Sequence, residues 1–314
     1  MRTSTDLLDE ICGLIASHAQ PDHRTPIDGL LVSRVETTPP DYSLTEPLLV
    51  VMAQGGKRLM LGDRTYEYRA GQLLLVTTDL PVTGHYIDVS PQNPSLAMGL
   101  ALRPSAIAPL LLQTAATRRT RAAADASATA AIATGTADID LLDAVARLLR
   151  LLDHPADAPV LAPMAEREIL WQLLTGPHGA TLRQIGLADS GLTHVSPAIR
   201  WIRDNYAEPM RIDELARLTG MSPSAFHRNF RAVTTLSPLR FQKHIRLQEA
   251  RTLLLAHPGD VAGVGHVVGY DSPSQFNREY RRLFGAPPGE DAARLREDGV
   301  PDPAGANTRQ HLPA

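Results

Sequence analysis

A chain of 314 residues with one cysteine, Cys12, holds no internal disulfide and no cysteine-rich zinc site. Such sparing use fits a reducing compartment. Long apolar runs are missing too. None approaches the ~20 residues of a membrane span, and Arg103 and Pro104 interrupt the longest candidate. The first apolar stretch carries Asp6, Asp9 and Glu10, so no secretory signal is expected there. Net charge is only −3. Apolar residues (43%) and charged residues (21%) stand in ordinary globular proportion, which excludes disorder as the dominant state. The length is a prior for about two domains.

The small net charge hides an uneven distribution. Over residues 222–285 nine Lys and Arg stand against four acids, a surplus of +5 that leaves −8 for the rest. A basic module on an acidic body calls for a polyanionic partner of the module alone.

Residues 4–19 carry Leu7, Leu8, Ile11, Leu14 and Ile15 at helical spacing and read as a short amphipathic helix. A proline-containing loop runs on to Pro26. From about residue 30 to 102 short apolar runs alternate with turn residues, the pattern of an all-β sandwich or barrel. Gly62-Asp63 reads as a hairpin turn. Residues 104–180 read as helical, except for an Ala/Thr-rich stretch, 116–137, read as loop or weak helix. Leu141, Leu142, Val145, Leu148, Leu149 and Leu152 form an amphipathic stripe. The stripe either packs onto the β-domain or joins two chains, and periodicity does not separate the two. Residues 185–194 read as a hinge. From Pro197 the pattern is helical almost to Gly285, and the proline-bearing last ~18 residues read as a frayed end.

The strongest signal is a duplication. Residues 212–234 (IDELARLTGMSPSAFHRNFRAVT) and 261–285 (VAGVGHVVGYDSPSQFNREYRRLFG) are two copies of a helix-turn-helix pattern. Gly220 recurs as Gly269 at an offset of 49; Phe226, Arg228 and Arg231 recur as Phe276, Arg278 and Arg281 at an offset of 50. Asp213 is placed to cap the first helix. Leu215 and Leu218 are placed to face inward, and Ala216 to let the two helices cross closely. Gly220 permits the φ > 0 that a sharp turn needs. Ser222 or Ser224 caps the second helix, with Pro223 in its first turn. Phe226 and Phe230 anchor it, which leaves Ser224, His227, Arg228 and Arg231 pointing away.

A helix presented in this way fits the major groove, about 12 Å wide. Ser224, His227 and Arg228 would face base edges, as would Ser274, Gln275, Asn277 and Arg278 in the second copy. Arg231, Arg281 and Arg282 are placed for phosphates. Between the copies, Phe241, Ile245, Leu247, Ala250, Leu253 and Leu254 give one apolar face, and Arg240, Lys243, Arg246 and Arg251 a charged one. A linker helix of ~17 residues spans ~25 Å and would hold the two heads for successive major-groove turns ~34 Å apart. One such pattern alone is often a solvated helical hairpin; two in register with a local basic surplus argue against that.

Residues 196–285, through RLQEARTLLL and VGYDSPSQFNREYRRLFGAPP, resemble the DNA-binding domain of AraC/XylS-type transcription regulators. TPIDGL and EPLLVVMAQGGKRLMLGDRTYEYRAGQLLLVTTDLPVTG resemble the N-terminal cupin-like domain of one subgroup, and LLDHPADAPVLAPMAEREILWQLLTGPHG its helical connection. The resemblance implies an α+β chain. An N-terminal helix and loop (1–24) precede a cupin-like β-barrel with flanking helices, the sensor and dimerisation domain (25–180). A hinge (181–195) leads to an all-α domain with two helix-turn-helix motifs joined by a linker helix (196–290), then a flexible tail (291–314). It also implies a cytoplasmic one-component regulator, not an enzyme, in homodimeric form. Its partners would be double-stranded DNA with operator half-sites, a small-molecule effector and, for an activator, RNA polymerase. Two departures stand out. Gly263 and Gly265 replace helix-favouring residues, at ~0.5–1 kcal/mol each, so this helix is expected to fray or its head to bind weakly. Gly289-Glu290 replaces a basic residue, which removes at most one phosphate-binding group.

A cupin-like barrel raises the question of a metal, which needs clustered His and Glu. The β-region offers one clear histidine, His85, and residues 59–61, where the resemblance would put a His-x-His pair, are apolar. No metal and no cofactor are expected. His85 reads as a strand-end histidine or a ligand contact. Tyr42, Tyr66, Tyr68 and Tyr86 read as ligand wall or core filling, with Tyr66 and Tyr68 on one strand face and Glu67 on the other. The candidate ligand contacts are thus Tyr66, Tyr68 and His85. Gly55-Gly56-Lys57 lacks phosphate-loop spacing and reads as a turn. Cys12 reads as a small buried apolar residue, with a redox role as the alternative.

Overall fold

The computed structural model describes residues 2–37, 41–117, 130–186, 191–257 and 259–297. Helix α1 (Ser4–His18) starts from a capping box in which Thr3 and Asp6 satisfy each other's backbone N–H. Eight strands follow: β1 (Leu30–Val35), β2 (Asp41–Thr45), β3 (Leu48–Gln54), β4 (Gly56–Leu61), β5 (Arg64–Arg69), β6 (Gln72–Val76), β7 (Leu80–Ile87) and β8 (Ser95–Ala101). After α2 (Pro104–Thr117) comes a ninth, β9 (Ile132–Thr136). They form two antiparallel sheets, β1-β8-β3-β6-β9 and β2-β7-β4-β5. Gly62-Asp63 closes the β4–β5 hairpin, with Leu61 opposite Arg64 and Gly62 at φ +60°.

β9 corrects the reading of 116–137 as loop or weak helix. Its sequence, IATGT, buries only Ile132, so no apolar alternation announces it; it forms by pairing with β6, Leu74 opposite Thr134. Residues 118–129 of that stretch lie outside the described residues.

Strands β3 and β6 are apolar without alternation because both of their faces are covered. Leu49, Val51, Leu73 and Leu75 pack under the helices, whereas Val50, Leu74 and Val76 face the other sheet. The second sheet alternates, because its outer face is wet: Arg58, Glu67, Arg69 and Asp88 lie there in one ion-paired row.

Helices α3 (Ile139–Arg150), α4 (Ala158–Thr175) and α5 (Gly179–Gly186) complete this half. The α3 stripe goes inward: Leu141, Leu142, Val145, Leu148 and Leu149 are at most 3% exposed, between α1 and α4. At about 1.5–3 kcal/mol per buried side chain, that settles the open alternative in favour of packing within the chain. Helix α1 is also integral rather than a separate segment, since Leu7, Ile11 and Ile15 sit in the same core.

The second half is helical throughout: α6 (Gly191–Asp204), α7 (Ile212–Leu218), α8 (Pro223–Thr234), α9 (Pro238–Ala256), α10 (Val261–Val267), α11 (Pro273–Phe284) and α12 (Pro288–Glu297). Of the expected hinge, 187–190 lie outside the described residues. On either side of it the two halves share a core. Leu59, Leu61, Leu80 and Val82 of the sheet cluster with Ile199, Ile202, Phe230 and Leu236 of the helices. Hydrogen bonds reinforce the join: Thr235 Oγ1 donates to Leu61 O (3.1 Å) and the Ala131 N–H to Val233 O (3.2 Å). Arg203 pairs with Asp79 at 2.9 Å, although burial pushes the Asp79 carboxyl above its usual range. The expected flexible tail also starts too early. Asp291 is fully buried in α12, while 298–314 lie outside the described residues.

Candidate nucleic-acid interface and cavity

Each helix-turn-helix is built from the same parts. Gly220 (φ +66°) and Gly269 (φ +90°) make the turns. Ser222 and Ser272 cap the second helices by accepting the N–H of Ala225 and Gln275, with Pro223 and Pro273 at the first position. Two expectations need correction. Asp213 is not the cap of α7; that position is Arg211, without a side-chain bond, and Asp213 lies in the first turn. Leu218, at the end of α7, is 51% exposed, like its repeat counterpart Val267 at 60%. Gly265 has a reason that composition hides: a Cβ there would lie 3.0 Å from the buried ring of Phe276. The α10 helix forms despite its two glycines, capped by Asp260.

Phe226 and Phe230 are fully buried, the latter edge-on to Phe241 of α9. That fixes the rotation of α8 and leaves Ser224, His227, Arg228 and Arg231 exposed. Phe276, Tyr280 and Phe284 do the same for α11, and Ser274, Asn277, Arg278, Arg281 and Arg282 are exposed. Gln275 differs: it is half-buried, and its Nε2 donates to Glu279 Oε1 at 3.2 Å. Burial alone would raise the Glu279 carboxyl; hydrogen bonds from Lys243, Gln275 and Tyr270 outweigh it and hold the group below the usual carboxylate range. The acid of α11 is thus turned inward. Among the described residues, Arg228, Arg231, Arg278, Arg281 and Arg282 have no carboxylate within ion-pair distance.

The basic face expected on α9 is mostly spent inside the protein. Lys243 binds Glu279 at 2.7 Å and Arg251 binds Asp291 at 2.7 Å. Arg246 donates to the carbonyls of Tyr206, Ala207, Glu208 and Gly269, stapling the second turn to the loop before α7. Only Arg240 remains exposed, 3.6 Å from Asp63 of the hairpin.

Between the sheets lies a cavity of about 770 Å³, closed on one side by Gln248, Arg251, Thr252 and Leu255 of α9 and Leu295 of α12. Tyr42, Tyr68 and Tyr86 line it; Tyr66 and His85 do not. Tyr66 shares the strand face of Tyr68 but packs into the shared core. His85 stands opposite Arg58 and one residue from Tyr86, so strand alternation turns it away from the cavity. Among the described residues no three His, Cys, Asp or Glu side chains gather as a metal site.

Residues 26–181 match the family model of the AraC-type transcriptional regulator N-terminus, and residues 215–294 that of a helix-turn-helix domain. The chain belongs to the AraC family of transcription regulators. The HTH-type transcriptional activator RhaS of Escherichia fergusonii is 29% identical to it over 159 residues, 49% of this chain and 55% of RhaS. RhaS of Salmonella paratyphi A is 26% identical over 147 residues, 46% and 51% of the two chains. The chain therefore spans about half the length of the curated relatives it matches. ToxT of Vibrio cholerae, in a crystal structure with (E)-4-(8-methylnaphthalen-1-yl)but-3-enoic acid, aligns with a TM-score of 0.53 at 9% identity, covering 85% of this chain and 98% of ToxT. At that identity the likeness is one of fold. The families and relatives are regulators, not enzymes.

In this AraC-family chain Cys12 is half-buried, and burial together with Asp9 pushes its thiol up to about 11. A protonated thiol is a poor nucleophile, which favours the packing role. No helix among the described residues is long and apolar enough to cross a membrane. Sequence reasoning misses Arg246 and Arg251 as internal staples because helical spacing puts them beside residues that stay wet; nothing local marks the carbonyls and the carboxylate that claim them.

Proposed function

We propose that the protein is a sequence-specific, effector-responsive transcription regulator whose helices α8 and α11 enter successive major grooves. Ser224, His227 and Arg228, and Ser274, Gln275, Asn277 and Arg278, face base edges. Arg231, Arg281 and Arg282 meet phosphates. The single observation that carries this is the set of five exposed arginines on equivalent helices without carboxylate partners, beside basic residues of α9 that do have them. Gln275 must exchange Glu279 for a base.

The effector site is the cavity between the sheets. It has one wall on α9, the helix that joins the two reading heads, so a ligand acts on their placement through its differential affinity for two arrangements. ToxT, which shares the fold, is described as bound to a small organic acid.

The homodimer is assigned to α4. Val160, Leu161 and Met164 are exposed along one face. In an antiparallel pairing about a two-fold axis near Ala162, Val160 of one copy meets Met164 of the other, and the exposed Asp157 meets Arg167. RhaS is named as an activator; activation by this chain would add RNA polymerase as a partner.

Titration of a selected operator duplex at several salt concentrations tests the reading. Retention that weakens steeply with salt is expected. Arg231→Ala should weaken binding to all sequences alike and lower the salt slope by about one, whereas Arg228→Ala and Arg278→Ala should relax specificity at particular positions. Binding insensitive to both kinds of change would refute the assignment.

A further inference from the structure

Among the described residues three buried side-chain atoms have no hydrogen-bond partner: Thr45 Oγ1, Tyr66 Oη and Gln248 Oε1. Thr45 and Gln248 both belong to the wall of the cavity described above. A buried polar atom left unmet costs about 1–3 kcal/mol, and two in one wall point to a partner from outside the chain.

The orientation of Gln248 is fixed by chemistry. Its Nε2 donates to Ser43 O at 3.3 Å and Val82 O at 3.1 Å. Only the NH₂ end of an amide can satisfy two carbonyls, so the oxygen is the atom left over, and it asks for a donor. The Thr45 hydroxyl either donates or accepts.

The charges of the wall narrow the ligand further. Arg251 is held by Asp291 at 2.7 and 3.3 Å, and its guanidinium lies 4.2 Å from the ring centroid of Tyr42 and 5.0 Å from that of Phe284. Lys57 Nζ lies 4.6 Å from the Tyr86 ring centroid and 3.4 Å from its hydroxyl. A cationic ligand would meet these two charges, against the single exposed carboxylate of Glu46, and find the rings of Tyr42 and Tyr86 already engaged. A carboxylate has acceptors only, so it leaves Gln248 Oε1 unmet. Leu31, Leu44, Leu59, Leu74, Val76 and Met98 make most of the remaining wall apolar, with Ser33, Thr37 and Thr252 and the exposed His23 and Glu46 as its other polar members.

We propose that this cavity binds a neutral, largely apolar small molecule with a hydroxyl or N–H group, whose proton Gln248 accepts at Oε1 and for which Thr45 is the second polar anchor. The inference rests on the effector role proposed above and gives it a chemical class and a sensing residue on α9.

Three matched probes test it on the full chain: 4-phenylphenol, biphenyl and biphenyl-4-carboxylate, with binding read by calorimetry and duplex DNA retention read on the same preparation. The phenol is expected to bind about tenfold or more tighter than either analogue, the worth of one buried hydrogen bond. Gln248→Met should abolish the phenol's advantage over biphenyl, and Thr45→Val, which leaves the α9 contacts intact, should reduce it. Tightest binding of the carboxylate, no advantage for the hydroxyl, or a full advantage retained in Gln248→Met overturns the proposal. Binding of none of the three by a chain that retains DNA overturns the ligand class alone; loss of DNA retention in the unaltered chain strikes at the regulator reading itself.

Discussion

The guanidinium of Arg251 sits over the ring of Tyr42, 4.2 Å from its centroid, and so joins the linker helix to the sheet of the other half. The same tyrosine meets Phe284 of α11 edge-on at 4.6 Å. One residue of β2 thereby touches both α9 and the second reading helix. Arg251 in turn holds Asp291, which also accepts from Tyr280 at 3.0 Å and pairs with Arg294.

Tyr42→Ala should lower stability by about 1–3 kcal/mol, the sum of an aromatic pair and a cation–π contact. Arg251→Met should lower it more, by about 3–5 kcal/mol, because a fully buried carboxylate loses its main partner. Denaturant unfolding of the two variants checks the order; the reverse order would contradict the arrangement.

The two turn glycines should differ. At Gly220 an added Cβ meets nothing within 4 Å, so Gly220→Ala faces only the left-handed backbone, at about 1–2 kcal/mol. At Gly269 the Cβ would lie 2.3 Å from Ala207 O and 2.9 Å from Arg246 Cζ. Gly269→Ala should therefore melt well below Gly220→Ala, and equal melting temperatures would show that the Arg246 staple yields freely.

Stability should fall on mild acidification through His244. Burial, with Arg240 and Arg282 adding to it and Asp63 opposing, pushes this imidazole down to about 4 from an ordinary 6.5. The unfolded chain then binds more protons than the folded one between those values. The contribution is fully present above the unfolded value and is lost as pH drops toward the folded one. Melting temperatures at about pH 7 and pH 5 should differ more for the unaltered chain than for His244→Gln; equal differences would remove His244 as the cause.

Met164→Glu should convert a dimer to a monomer in sedimentation without lowering the melting temperature of the monomeric fold, since Met164 is 64% exposed. A dimer that persists would move the interface away from α4.

Much of this architecture is legible in the sequence where one periodicity dominates. The duplicated spacing of glycine, phenylalanine and arginine places α8 and α11, and the buried phenylalanines turn the expected residues outward except Gln275, which Glu279 holds half-buried. What is not legible depends on distant partners. His85 and Tyr68 are equally plausible as wall residues until strand register sends them to opposite faces of one sheet. The α3 stripe fits a seam between chains or a core until α1 and α4 cover it. Gln248 reads as an ordinary polar residue of an amphipathic helix; its role emerges only when β2 and β7 bring two carbonyls to its amide.

The central claim is that one duplex receives both arginine-bearing helices. Footprinting on a selected operator tests it most directly. Two protected major-groove patches about one turn, ~34 Å, apart are expected, with Arg228→Ala weakening protection in one and Arg278→Ala in the other, each at ~1–3 kcal/mol. A single patch, or two patches unchanged in both variants, would contradict it.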